Sequence, residues 1–422
     1  MKASSALVNG RVFYGWWIVL AALVGAATGV SVMTAFALGP FILPFQEEFG
    51  WTRGEISTTV VFSTLAFVIV SPLFGVLLDK VGVRKLLLLS TLLMGLLIAA
   101  LYNMGGNIWQ LYLTYLLLPI VGAGTSPIAY SKLIVHWFDR RRGLALGIGL
   151  AGIGVGAALV PSLVQFFIDT SGWRFAYVAL AALILALNLP LAYFLVFNSP
   201  QEVGLSPDGD TDSASESHAG ASDLGLTLRK SAATSSFWLM VGAFLLVGIV
   251  FVGVIVHLVP MLVDRGMSTT SAAAAASTVG IALIIGRILA GYLMDKFFAP
   301  RVVIVFFIGP VIGTAALAMG AQGAPAFMAA LLIGMAIGAE FDVIAFFTSR
   351  YFGFRAYGKV YGWLYATFTL GGGIGPVVLG EGFDATGSYA PFLWGLTGLM
   401  IISIVFIAFL GPYPDFRQAH ED

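Results

Sequence analysis

Four charged residues stand well inside long apolar runs of this chain, and they mark where chemistry is possible: Lys132, Arg287, Glu340 and Asp342. Arg287 lies in TVGIALIIGRILAGYLMDK (Thr278–Lys296), with four apolar residues or glycines on either side. An arginine at mid-membrane costs about 2.5–3.5 kcal/mol, so it is expected to serve function. Its guanidinium is a planar fork of donors, stays charged at any working pH and matches a carboxylate. The leading reading is that Arg287 binds the carboxylate of a substrate. The competing reading is a buried structural pair with Glu340 or Asp342.

Those two acids are two positions apart, so on a helix they point about 200° from each other and only one can face a substrate path. Asp342 shares its face with Met335, Gly338, Ala339, Phe346 and Ser349, a smaller and more polar face than that of Glu340 with Ile333, Ala336, Ile337, Ile344 and Phe347. Asp342 is therefore preferred for the path, with Phe346 beside it. A carboxylate balanced between burial and a nearby arginine can take up a proton in one state and release it in another. Asp342 or Glu340 is the expected carrier of a coupling proton; the competing role is to fix its helix against a neighbour.

Lys132, in TSPIAYSKLIVHWF, admits two readings. It is a second anion contact that mirrors Arg287, or it snorkels its stem toward a helix end. Lys132, Arg287 and Asp342 each lie eight residues before a charged residue at a helix end (Arg140, Asp295 and Arg350). That spacing puts each about 12 Å from the rim, provided the helices are straight, and Pro127 is expected to bend the one carrying Lys132. His257, in VGVIVHLVPML, is a gate or proton sensor in one reading and a packed residue with one hydrogen bond in the other. Among the aromatics, Tyr130 and Tyr361 rank first for the substrate, because each brings a hydroxyl for a carboxylate or hydroxy-acid.

The elements that must position these groups are membrane helices. Of 422 residues, 59% are hydrophobic and only 10% are charged, too little charge for a soluble chain of this length. Twelve apolar spans are expected, at about 15–43, 54–79, 84–104, 108–137, 142–168, 174–197, 237–263, 271–295, 301–321, 325–349, 357–383 and 389–411. Unpaired backbone groups are not tolerated in lipid and no strand alternation is present, so the spans are helices. The first run is far longer than a signal-peptide core and shows no cleavage site, so it is expected to stay as an anchor.

Basic residues orient the spans. Of 21 Lys and Arg, sixteen fall in segments that share a side with both termini, three (Arg53, Arg174, Arg265) fall opposite, and Lys132 and Arg287 lie within spans. That bias puts both termini in the cytoplasm. The polar stretch from Asn198 to Ser235, with SPDGDTDSASESHAGASD, reads as a flexible cytoplasmic linker. It separates an N-terminal six-helix bundle (1–197) from a C-terminal one (236–422).

The bundles repeat. GVLLDKVGVRK (Gly75–Lys85) matches GYLMDKFFAPR (Gly291–Arg301), WFDRRRGLALG (Trp137–Gly147) echoes YFGFRAYGKVYG (Tyr351–Gly362), and SGWRFAYVAL (Ser171–Leu180) echoes TGSYAPFLWGL (Thr386–Leu396), at an offset of about 215 residues. Two copies of one six-helix unit is the parallel repeat of secondary transporters. The expected fold is thus all-α, twelve transmembrane helices in two pseudo-symmetric bundles.

On these residues the chain resembles the major facilitator superfamily over essentially its whole length. Gly75–Lys85 is close to that superfamily's loop signature G-x-L-x-D-x-x-G-x-R-K. Within it the chain is similar to the monocarboxylate and oxalate–formate carrier group, through GWWIVLAA (Gly15–Ala22), FGW (Phe49–Trp51), WFDRRRGLALG, GWR (Gly172–Arg174) and SPQEVGLSPDGD (Ser199–Asp210). The resemblance places Arg287 where that group holds its substrate-binding arginine. Two departures stand out. Animal members carry an aspartate one turn before this arginine, where this chain has Leu283, and a lysine in the first helix, where Gly15–Gln46 holds no basic residue. The proton carrier must then come from another helix. The resemblance also implies that Asp79 latches the halves in the outward-facing state. By position Asp79 can pair with Arg84 or Arg141 or sit at a helix N-terminus, whereas Asp295 reads as an ordinary rim salt bridge.

Other classes are disfavoured. The formal net charge is zero, which argues against a nucleic-acid partner. Without cysteine there is no disulfide, thiolate metal site or cysteine nucleophile. Gly147–Gly152 matches G-x-G-x-x-G but follows no strand, so nucleotide binding is rejected. Gly147, Gly152, Gly154, Gly156, Gly371–Gly373 and Gly375 are instead expected to let helices approach closely. With no zinc spacing, phosphate loop or nucleophile–base pair, no enzyme, cofactor or metal is expected. The expected function is secondary transport of a small organic anion, a monocarboxylate first, by proton symport and alternating access, in the inner (plasma) membrane and as a monomer. The alternatives are an organic anion exchanger, lipophilic drug efflux, or a substrate sensor without flux.

Overall fold

In the computed structural model, residues 7–8, 11–209 and 225–414 are described. They divide into two compact units, Met1–Leu224 and Gly225–Asp422. Most of the described residues are helical; β pairing among them comprises a two-residue antiparallel pair, Leu7–Val8 with Arg11–Val12, and an isolated bridge between Gly225 and Gly353. Among the described residues, eleven helical stretches are long and apolar enough to cross a membrane, and a shorter apolar helix, Trp109–Val121, makes the twelfth with its continuation.

In the first unit, α1 (Gly15–Ala27) and α2 (Val30–Ala35) form the first span, α3 (Ile42–Phe49) lies beyond it, and α4 (Arg53–Val81) is the second. They are followed by α5 (Val83–Ala100), α6 (Trp109–Val121), α7 (Pro127–Trp137), α8 (Arg142–Leu150), α9 (Gly152–Ser171) and α10 (Trp173–Phe194). The start of α4 is a capping box, in which Thr52 and Glu55 exchange side-chain-to-backbone hydrogen bonds. Three spans expected as single helices are interrupted: the first at Thr28–Gly29, the fourth between α6 and α7, and the fifth at Ala151. The fourth breaks because Pro127 forces extended backbone on Ser126 (ψ 164°) and removes an N–H. The first and fourth breaks satisfy each other, since Val30 N–H donates to Thr125 Oγ1 at 3.0 Å.

The second unit begins with α11 (Leu228–Ala232). It continues through α12 (Ser235–Asp264), α13 (Thr269–Lys296), α14 (Ala299–Ala318), α15 (Ala324–Phe347), α16 (Tyr357–Thr386) and α17 (Ala390–Ala408). A π turn, Thr348–Phe352, ends α15. Thr234 and Ser268 cap α12 and α13 through their side chains. Close approach is seen at four of the expected glycines, two in each unit. A Cβ at Gly152 or Gly156 would overlap the Leu23 or Ala27 carbonyl of α1, and one at Gly371 or Gly375 the Leu245 or Ile249 carbonyl of α12.

The polar stretch differs from its expected form at its ends. Asp208, in left-handed backbone (φ 58°), accepts hydrogen bonds from the Asp139 and Arg140 N–H groups at 2.8 and 2.7 Å. At the far end, Leu226 N–H donates to the Phe352 carbonyl at 2.8 Å. Residues 210–224 lie outside the described residues.

Candidate functional site

In the second unit the site is built on α13 and α15. These helices touch backbone to backbone: a Cβ at Gly338 would overlap the Leu283 carbonyl oxygen and one at Gly286 the Met335 carbonyl oxygen. That closeness brings Arg287 against α15. Its Nε donates to the Gly338 carbonyl at 2.9 Å and stands 3.7 Å from Asp342 Oδ2. The two side chains are 1% and 0% exposed. At 3.7 Å the pair attracts by charge but is beyond hydrogen-bond reach. Neither carboxylate oxygen of Asp342 has a hydrogen-bond partner, nor does Glu340 Oε1. A buried acid without donors is costly, and a proton or a new partner relieves it. Asp342 and the Gly338 carbonyl both meet Arg287, and Glu340, buried two positions before Asp342, lies close enough to feel the charges of both Arg287 and Asp342.

An aromatic ladder adjoins the arginine. The Arg287 guanidinium carbon lies 5.7 Å from the Phe341 ring centroid. Phe341 packs on Tyr365 at 5.6 Å and Phe368 at 5.8 Å, and Tyr365 stacks on Tyr361, which continues to Tyr357. Tyr361 is thus joined to the site through Tyr365. Phe341 was not singled out from the sequence, because its helical face is neither that of Asp342 nor that of Glu340. Phe346 sits under Arg350, whose guanidinium carbon is 5.5 Å from its ring, one turn further along α15. Glu381, on α16, was also passed over, and it is exposed.

The first unit holds a different pair. Lys132 Nζ on α7 donates to Asp79 Oδ1 at 2.8 Å and to the Leu78 carbonyl at 3.1 Å. Lys132 therefore reaches into α4, and the loop-signature carboxylate has it as a partner. Of the partners considered for Asp79, Arg84 is engaged elsewhere. Gly82, at positive φ, starts α5 on a new course, and Arg84 Nη2 donates to the Tyr193 carbonyl at 2.6 Å with its guanidinium over the Phe197 ring. Arg141 is the half-buried cap residue of α8. Tyr130 is buried with its hydroxyl toward Gly25 of α1, where a Cβ would overlap it. Asp295 is half-buried at the end of α13. His257 on α12 is half-buried with both ring nitrogens engaged, Nε2 with the Pro376 carbonyl at 2.9 Å and Nδ1 with the Tyr389 hydroxyl at 3.3 Å. That is one hydrogen bond more than the packed reading expects.

Outside the spans, Glu48 on α3 holds two partners of α10. Arg174 Nη2 approaches Glu48 Oε1 at 2.6 Å and Trp173 Nε1 donates to Oε2 at 2.6 Å. The Arg174 guanidinium, then the Trp173 indole, keep the Glu48 carboxyl below the usual carboxylate range. No group of three or more His, Cys, Asp or Glu suited to a metal occurs among the described residues.

The Major Facilitator Superfamily profile matches residues 24–376. Monocarboxylate transporter 11 of Mus musculus is 30% identical over 394 residues, covering 89% of this chain and 83% of the mouse protein. Its Homo sapiens counterpart is 28% identical over 93% of this chain and 82% of its own length. Among solved structures, the proton:xylose symporter XylE is similar with a TM-score of 0.76 at 17% identity, covering 97% of this chain and 99% of XylE. The human organic anion transporter MFSD10 reaches a TM-score of 0.68 at 15% identity, covering 93% and 99%. At these identities the structures speak to the fold alone. The chain belongs to the major facilitator superfamily: it is a multi-pass membrane transporter and not an enzyme.

Proposed function

We propose that this transporter carries a small organic anion, a monocarboxylate first, together with a proton. The observation that carries the reading is the dry pair of Arg287 and Asp342, at 3.7 Å, with both carboxylate oxygens lacking a hydrogen-bond donor. In this account Arg287 presents its donor fork to the substrate carboxylate. Asp342 then loses its counter-charge, and a bare carboxylate in a site this dry takes a proton. Anion and proton enter together, and the occupied site stays neutral. Once the anion leaves, Arg287 returns to Asp342 and the proton is released. This assigns to α15 the acid that Leu283 does not supply on α13.

Alternating access follows, since bound ligand must change which state is populated. The names of the monocarboxylate transporter relatives support the substrate class. The sixteen-to-three distribution of basic residues supports cytoplasmic termini, and an inner (plasma) membrane location is part of the same proposal. The 38-residue polar stretch is assigned as the linker between two six-helix bundles. The test is uptake of labelled small carboxylates into vesicles with and without an inward proton gradient. Gradient-driven accumulation that Arg287→Lys weakens and Asp342→Asn uncouples supports symport. Exchange indifferent to pH on both sides would replace it with an anion exchanger, and ligand binding without flux with a sensor.

A further inference from the structure

The break in the fourth span carries a polar group that the transport account does not use. Ser126, the N-cap residue of α7, is 3% exposed, and its hydroxyl neither caps the helix nor meets any protein partner. It lines a small, partly open cavity with Ser71, Phe67, Val70 and Phe74 of α4 and with Pro119, Ala123 and Ile128 around the break. The cavity offers about 10 Å³ of room for the centre of a water-sized molecule, the space needed for one water and too small for a carboxylate or a hydrated ion.

The polar groups suit that occupant. Ser71 Oγ donates to the Phe67 carbonyl at 2.6 Å, so it has only lone pairs to offer. Ser126 can donate its hydroxyl hydrogen. Ile128 is the second residue of α7, and a helix provides no intrahelical acceptor for an N–H in that position. A water can give a proton to Ser71 and receive one from Ser126 and from Ile128 N–H, which meets the requirement of two to four partners. We infer that one structural water is bound between Ser126 and Ser71 at the α6–α7 break. It stands in for the backbone hydrogen bonds lost there and ties α4 to the foot of the helix that carries Lys132.

The sign of a single substitution tests this. If the cavity is dry, Ser126→Ala removes an unsatisfied buried hydroxyl and raises Tm. If the water is bound, the same change strips it of a partner and lowers Tm by about 2–4 °C. Ser71→Ala and the double variant complete a thermodynamic cycle. Two serines that share a water are coupled, so the double variant loses less than the sum of the singles; additive losses overturn the inference. Should a variant not fold, density in the wild-type protein decides. A water about 2.6–3.2 Å from both Ser126 Oγ and Ser71 Oγ supports the site, and a resolved cavity without one overturns it.

Discussion

Among the described residues, each unit carries an ion pair across corresponding spans, part-buried in the first and fully buried in the second, and the two pairs are built differently. In the first unit the acid is on the second span and the base on the fourth: Asp79 of α4 with Lys132 of α7. In the second unit the order is reversed, with Arg287 on α13 and Asp342 on α15. Asp79 and Lys132 meet at 2.8 Å with side chains 10% and 12% exposed, and Lys132 has a second acceptor. Arg287 and Asp342 stand at 3.7 Å, at most 1% exposed, and the aspartate has no donor. A closed, hydrogen-bonded pair with some access to water holds two helices together. An open pair in a dry site is poorly satisfied and exchanges partners readily. In the proposed account the first pair has a holding role and the second a ligand-exchanging one.

The sharpest way to break the contrast is at Arg287. Arg287→Lys keeps the charge but loses the fork, and lowers transport kcat/KM by about 10- to 100-fold, the equivalent of one charge-assisted hydrogen bond of about 1.5–3 kcal/mol. Full transport by this variant, measured as initial uptake rates, removes Arg287 from the substrate. Asp342→Asn should act on coupling: accumulation against a gradient is lost while exchange of internal for external substrate persists. Glu340→Gln, on the other face of α15, should leave gradient-driven uptake in place, and a loss of coupling there instead would move the proton to Glu340.

The first pair should answer in stability. Lys132→Met or Asp79→Asn lowers Tm by about 3–12 °C, from a charge-assisted hydrogen bond of about 1.5–3 kcal/mol in a domain of this size. The exchanged pair, Asp79→Lys with Lys132→Asp, should recover part of it. No loss in either single variant would strip the pair of its holding role. The smallest effect is at Glu48. Its carboxyl is held below the ordinary value, so its stabilising contribution is complete above that value and fades as pH falls through the depressed one. Solvent screening keeps the effect under about 1 kcal/mol. Glu48→Gln should flatten the acid limb of a Tm-versus-pH curve between about pH 3 and 5, and an unchanged limb contradicts the assignment.

The spans were legible because about 20 apolar residues are needed to cross a bilayer, and Arg287 because a charge there is costly. Helical spacing separated Asp342 from Glu340 and put Gly338 one turn before Asp342, while the preference for Asp342 rested on its smaller, more polar face. Of the side-chain partners across helices, the sequence offered Asp342 for Arg287, as the competing buried pair, but not Lys132 for Asp79. Asp79 has Arg84 five residues away in the chain, yet positive φ at Gly82 turns Arg84 toward α10 and leaves Lys132, 53 residues on, to fill the place. The break at Thr28–Gly29 had no local mark either; it is stabilised by Thr125, which is distant in sequence. Pro127, by contrast, announced a bend. Phe341 escaped because it touches Arg287 through its ring, a contact without helical periodicity.

The central claim is that Arg287 and Asp342 take an anion and a proton together. The direct measurement is proton movement accompanying carboxylate uptake, read with a pH-sensitive dye inside proteoliposomes, for the wild type and for Asp342→Asn. The account predicts that the wild type acidifies the lumen by one proton per anion and that Asp342→Asn exchanges anions with no pH change. Acidification by Asp342→Asn at the wild-type ratio would contradict it.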